Sequence, residues 1–161
     1  MEVAVRISYK IKEGVDMYIY SITKKDDGMG TPSCRTPQEA ARIFRDIVPE
    51  DEPRECLVTI TLNGSTEATG VFLASIGGTG SVTIDSRVIC RLAISSLASG
   101  IIIVHSHPTG KARPSSHDIA ETEGLRAACK TIGIPLIDHV IVAEDGIYSF
   151  ANEKKYDYTN N

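Results

Sequence analysis

No apolar run in this 161-residue sequence is longer than four residues. That excludes a membrane-spanning helix and the core of a secretory signal peptide. Excess charge of one sign is also missing: 17 Lys and Arg stand against 21 Asp and Glu, a net charge of −4. The balance is even along the chain, with 8 basic and 10 acidic residues in 1–53 and 9 and 11 in 54–161. No basic arm of the sort that grips a phosphate backbone is expected, so nucleic acid is a disfavoured partner. Cysteine is scarce and scattered. Cys34, Cys56, Cys90 and Cys129 are 22, 34 and 39 residues apart, and no C-x-x-C pair exists for a zinc ribbon or a redox site. With no secretory signal expected, they read as reduced thiols of a cytoplasmic protein. Cys90 and Cys129 sit in apolar helical patterns, where Cys acts as a small core residue. Repeats and low-complexity tracts are absent.

What is present is ordinary for one globular domain: 42% apolar and 24% charged residues. A chain of this length buries roughly 68–70% of its unfolded surface without a disulfide or metal staple. Residues 3–11 alternate apolar and polar, and 16–23 read as the returning strand of a hairpin. A turn-rich loop follows over 24–33. Thr36-Pro37-Gln38-Glu39 carries a cap, a first-turn proline and a capping-box acid, predicting a helix that Pro49 ends. Residues 55–62 and 67–75 predict two strands around a tight turn at Asn63-Gly64. Gly77-Gly78-Thr79-Gly80 reads as a turn, since no G-K-[ST] follows it. Asp85 caps a helix over 86–98, and Ile101–Val104 form a strand apolar on both faces. Ser115 opens a helix to about 132, ended by Gly133. Strands at 135–143 and 147–150 flank a turn at 144–146. The polar tail from 152 is expected to fray. Mixed strands and helices around a buried strand predict an α/β fold, a layered mixed sheet flanked by helices.

One stretch concentrates chemistry: His105-Ser106-His107-Pro108, six residues, then Ser115-Ser116-His117-Asp118. Residues i and i+2 of extended backbone point the same way, so both imidazoles can face one point. Asp118 falls in the first turn of the next helix. Two imidazoles and a carboxylate suit an open site for one Zn²⁺, with water as the fourth ligand. Such a site needs a base beside the water. Glu55 is the candidate, an acid on the face shared by Leu57, Thr59 and Thr61. Ser115 can cap the helix or donate to a developing oxyanion. Each feature alone has a bland structural explanation, and only their conjunction favours chemistry. His117 reads as a rim residue. Lys111 and Arg113, in the loop between ligands, can contact a substrate carboxylate or phosphate. Asp138-His139, in a strand, can orient a ligand or simply pair within the sheet.

The run HSHPTGKARPSSHD fits H-x-H-P-x6-S-x-x-D at every fixed position. It resembles the JAMM motif of the JAB/MPN superfamily, and its RadC-like branch most closely. IIIVHSHP, the helix start at Asp85–Arg87, Thr122, Leu125, IGIPLIDHVIV and Tyr148-Ser149-Phe150 extend the resemblance across about 36–151. It implies a cytidine-deaminase-like architecture in a domain at 36–151, preceded by a hairpin extension (1–35) and followed by a tail (152–161). It implies His105, His107 and Asp118 as metal ligands, Glu55 as the base and Ser115 as a transition-state stabiliser. The implied activity is a zinc-dependent metallohydrolase, a peptidase or isopeptidase acting on a peptide or protein tag. A non-catalytic MPN-like scaffold and a DNA-repair-associated RadC-like protein are the alternatives. Longer relatives carry a DNA-associated helix-hairpin-helix module where this chain has its hairpin. That hairpin could serve a homodimer, substrate docking or sheet extension.

Overall fold

A computed structural model describes residues 32–158. The hairpin expected at 3–23, and the loop after it up to residue 31, lie outside the described residues. Helix α1 (Pro37–Arg45) opens as its sequence dictates. Thr36 Oγ accepts from the Glu39 amide at 3.2 Å, and the Glu39 carboxylate accepts from the Thr36 and Arg35 amides. Strands β1 (Cys56–Leu62) and β2 (Ala68–Ile76) pair antiparallel. Their connection, 63–67, contains the tight turn expected at Asn63-Gly64, closed by the Thr66 amide donating to the Asn63 carbonyl at 3.1 Å, with β2 starting one residue later than predicted. Asn63 reinforces the turn: its Oδ1 accepts from the Ser65 and Glu67 amides. Helix α2 (Ser86–Ser95) is capped by Asp85 and stops earlier than the predicted 98. Strand β3 (Gly100–His107), helix α3 (Ser116–Ile132) and strand β4 (Leu136–Ala143) form a parallel crossover unit. Gly133 ends α3 in the left-handed conformation, φ 73°. Strand β5 (Gly146–Ser149) returns antiparallel to β4.

The polar stretch read as a tail behaves differently from expectation. Lys154–Tyr156 form β6, paired with β5. Tyr158 then donates its hydroxyl to the Ala143 and Gly146 carbonyls, and the Arg45 guanidinium lies 3.7 Å over its ring. Two tyrosines and a cation–π contact supply the anchoring that a polarity count misses.

Among the described residues the sheet runs β2-β1-β3-β4-β5-β6, mixed in direction. Alternation along its strands assigns each face. Val58, Ile60, Leu62, Ile102, Val104, Val140 and Val142 pack with Ile43 and Phe44 of α1. Leu57, Ile101, Ile103 and Leu136 pack with Ile89 and Ala93 of α2 and Leu125 and Cys129 of α3. The sheet is thus the middle of three layers. Ile101–Val104 are at most 3% exposed, and burying each such side chain is worth about 1.5–3 kcal/mol. No helix among the described residues is long and apolar enough to cross a membrane.

Register decides what reaches the end of β3. Ile101 pairs with Leu136 but Ile102 with Asp138, so Ile137 is an extra residue in β4. This bulge sends Asp138 to the α1 face and His139 to the α3 face, beside His105.

Candidate metal centre

His105 and His107 are the last residues of one face of β3 before the chain turns at Pro108. His105 is fully buried and His107 half-open. Their Nε2 atoms lie 2.8 Å apart. Asp118 enters from the first turn of α3, with Oδ1 3.4 Å from His105 Nε2 and Oδ2 3.5 Å from His107 Nε2. The three ligand atoms all lie within 4.8 Å of one another.

Local structure holds each donor. His107 Nδ1 is 3.0 Å from the Lys111 carbonyl, which can only accept. That hydrogen therefore sits on Nδ1, and Nε2 is left facing His105 and Asp118. Asp118 is the third residue of a capping box. Its Oδ2 accepts from the Ser115 amide at 2.7 Å and the Ser115 hydroxyl at 2.6 Å. Burial works to raise the Asp118 pKa, but the facing imidazoles and Ser115 outweigh it and hold the carboxyl well below the ordinary range. Burial alone would lower the His107 pKa. Asp118, the Lys111 carbonyl and Glu55 together raise it. Two imidazole nitrogens and a carboxylate converging on one small space form a donor set suited to a divalent cation of borderline softness such as Zn²⁺.

Glu55 and His107 line a common cleft of about 670 Å³ together with Lys111, Arg113, Ser115 and Asp118. Glu55 is 7% exposed and immediately precedes β1. Leu57 pairs with His105, so continuing that register brings Glu55 opposite His107. Its backbone is clipped on one side to the glycine loop. Glu55 N donates to the Gly78 carbonyl and Gly77 N donates to the Glu55 carbonyl, both at 2.8 Å. On the other side the Cys56 amide donates to Ser106 Oγ at 3.0 Å. His117 is an exposed rim residue, 3.2 Å from Glu121.

The structure shows Ser115 in the first of its two expected roles, the helix cap, and places Asp138 away from the site. Ser115 lines the cleft, but its hydroxyl hydrogen is given to Asp118 Oδ2 and its oxygen accepts from the Asp118 amide. In this arrangement it holds Asp118. Asp138 does not reach the site. The β4 bulge turns it to the opposite face, where it accepts from the His139 and Ala151 amides and the Ser149 hydroxyl. It ties β4 to β5 and neither orients a ligand nor lines the cleft.

His139, by contrast, lies against His105: His105 Nδ1 is 2.7 Å from His139 Nε2. Its other nitrogen is 2.6 Å from Thr122 Oγ1, which is 2.5 Å from the Asp118 carbonyl. Phe150 stacks on the His139 ring, centroids 4.4 Å apart and planes within 4°. Burial first, then the His105 imidazole, push the His139 pKa well below the ordinary value. Three contributors were given no role in the sequence reading: Thr122, named there only as part of the resemblance, the Gly77-Gly78 clip, and Asp145. Asp145 Oδ1 accepts from the Ala112 amide at 2.7 Å and pins the 108–114 loop. Thr122 alone left a usable signal, being one helical turn from Asp118.

A three-layer α/β domain with His-x-His at the end of a central strand and Asp on the following helix defines a JAB-type fold and site. The RadC-like JAB domain family matches residues 34–156, and the chain belongs to that family. It is similar to a UPF0758 protein of Aquifex aeolicus, 36% identical over 126 residues, 78% of this chain and 54% of the relative. A UPF0758 protein of Porphyromonas gingivalis is 34% identical over 140 residues, covering 85% and 62%. One of Thermotoga maritima is 38% identical over 100 residues, covering 62% and 45%. The chain thus spans roughly half the length of these curated relatives.

Proposed function

We propose that this protein is a zinc-dependent hydrolase of amide bonds, a peptidase or isopeptidase. The observation that carries this reading is the convergence of His105, His107 and Asp118, the last two lining one cleft with Glu55. The three would hold one Zn²⁺, leaving a position for water. Bound there, Zn²⁺ supplies Lewis acidity and lowers the pKa of a coordinated water toward neutrality. Glu55 receives a proton from the attacking water on its carboxylate and returns it to the leaving amine nitrogen. Ser115 keeps Asp118 ionised and aimed through two hydrogen bonds. Lys111 and Arg113, on the cleft wall, suit a carboxylate of a peptide or protein-tag substrate. Four free thiols among the described residues are compatible with a reducing, cytoplasmic setting.

The test compares zinc-loaded wild type with Glu55→Gln on peptide and tagged-protein substrates. Loss of a general base is expected to cost about 10²–10⁴-fold in rate with zinc content unchanged. Equal rates would remove Glu55 from the mechanism. Protein purified without chelator that carries no transition metal would favour a scaffold of the same fold.

A further inference from the structure

We propose that a groove on the α1 side of His107 is a substrate subsite for a lysine or arginine side chain. The proposal takes its place in a reaction from the hydrolase reading above and its chemistry from other residues.

The strands explain why a groove lies there. β3 and β4 are parallel neighbours and end side by side, at Ser106-His107 and Val142-Ala143. The crevice outside the carboxyl ends of such strands is where open α/β sheets bind ligands. Helix α1 packs on one face of the sheet and α3 on the other, so this crevice has two sides. The cleft that Glu55 lines includes the first turn of α3. A second groove, of about 410 Å³, includes the end of α1 and the residues after it. His107 lines both, and a polypeptide laid across it reaches into each.

The two sides differ in charge. Lys111 and Arg113 are the exposed cations of the α3 side. The α1 side carries Glu50, Glu52, Glu144 and Arg45. Glu52 is taken up by the Arg54 guanidinium through contacts of 2.7 and 2.9 Å. Arg45 is stacked 3.7 Å over the Tyr158 ring. Even with both guanidiniums counted, three carboxylates against two leave this side negative. Glu50 and Glu144 are exposed and have no hydrogen bond or ion pair among the described residues. The Glu144 carboxylate stands close to the centre. A Cβ on Gly110 would lie 3.2 Å from Glu144 Oε2, and the Gly110 amide donates to the His107 carbonyl at 3.0 Å.

Below these carboxylates the groove is apolar. Val48, Val142 and Ala143 are each at most 7% exposed and form its floor. A purely apolar residue covers that floor but leaves the acids unmet, and an acidic residue is repelled. Lysine and arginine satisfy both parts: their methylenes cover apolar surface while the charged head stays at the wet rim, beside Glu50 and Glu144.

The experiment uses the full chain carrying Glu55→Gln and loaded with zinc, so that bound peptide is not turned over. Fluorescence anisotropy measures three labelled octapeptides of Gly and Ala that differ at one central position, Lys, norleucine or Glu. Norleucine keeps the lysine stem and lacks the ammonium. The Lys peptide is expected to bind about 2- to 30-fold more tightly than the norleucine peptide, the effect of two contacts between exposed charges. The Glu peptide should be the weakest, and the differences should shrink at 1 M salt, where the screening length is about 3 Å. Adding Glu50→Lys and Glu144→Lys together should reverse the order. Both positions are exposed, so the fold tolerates them. Equal binding of the Lys and norleucine peptides, or a Lys preference that survives the double substitution, would overturn the proposal. Cleavage by zinc-loaded wild type is scored separately. A Lys preference without cleavage refutes the hydrolase reading and leaves the subsite standing, while cleavage without a Lys preference does the reverse.

Discussion

Gly77 and Gly78 are neighbours in one loop, and the structure assigns them opposite responses to the same substitution. A Cβ on Gly77 would lie 2.0 Å from the Ser81 carbonyl oxygen and 2.7 Å from Val82 Cα. Both are backbone atoms, so no side-chain rotation relieves the collision and the loop must open. Opening breaks three bonds: Glu55 N to Gly78 O, Gly77 N to Glu55 O, and Gly78 N to Ser81 O, at 2.8, 2.8 and 2.9 Å. At a net 0.5–1.5 kcal/mol each they sum to about 3 kcal/mol. Stiffening the unfolded chain returns roughly 0.4–1 kcal/mol, leaving Gly77→Ala less stable by about 2–3 kcal/mol. For a chain of this size that is a melting temperature lower by roughly 5–10 °C. Gly78→Ala meets nothing within 4 Å and has no left-handed φ, so it gains the entropic term of about 0.4–1 kcal/mol. Urea titrations of both variants against wild type measure the two signs. Gly77→Ala within about 0.5 kcal/mol of wild type, or equal losses in both variants, would refute the reasoning.

Two further predictions follow from the site and from β4. Zinc at about a hundred times its Kd should stabilise wild type by about 2.7 kcal/mol, a rise of roughly 5–10 °C by calorimetry. His105→Ala should show no such rise, and an equal shift in both would mean that zinc binds elsewhere. The second concerns pH. Burial raises the Asp138 pKa against the hydrogen bonds it accepts. The folded chain then holds that proton more tightly than the unfolded one. The contribution to stability is full below about pH 4 and is lost as pH rises through the folded value. Stability of wild type minus that of Asp138→Asn should therefore fall between about pH 3 and 7 in urea titrations. A difference that grows with pH would contradict the assignment.

Much of this molecule could be read from local pattern. The capping boxes at Thr36 and Ser115, the apolar strand at 101–104 and the glycine ending α3 are short-range signals, and the structure reproduces each. His105, His107 and Asp118 were legible because strand and helix geometry alone bring them together. What was not legible depended on pairing. One extra residue in β4 separates Asp138 from His139, and nothing in PLIDHVIV marks where a bulge will fall. The glycine loop looked like a connector because its partner, the Glu55 backbone, is more than twenty residues away. β6 was hidden because two lysines and a tyrosine carry no alternation, and their support comes from Tyr158 against α1.

The Asp118 carboxylate carries two tasks at once. Oδ2 closes the first turn of α3 through Ser115 while also facing His107, and Oδ1 is turned toward His105. Fraying of that turn and release of a cation are consequently one local equilibrium, not two. A bound ion would act as a clasp on the helix end, slowing amide exchange over its first turn. The intact turn, in return, spares the ion the entropy of gathering a loose carboxylate. Occupancy of the site would thereby be written into the opening rate of a single helical turn some 13 residues along the chain from His105.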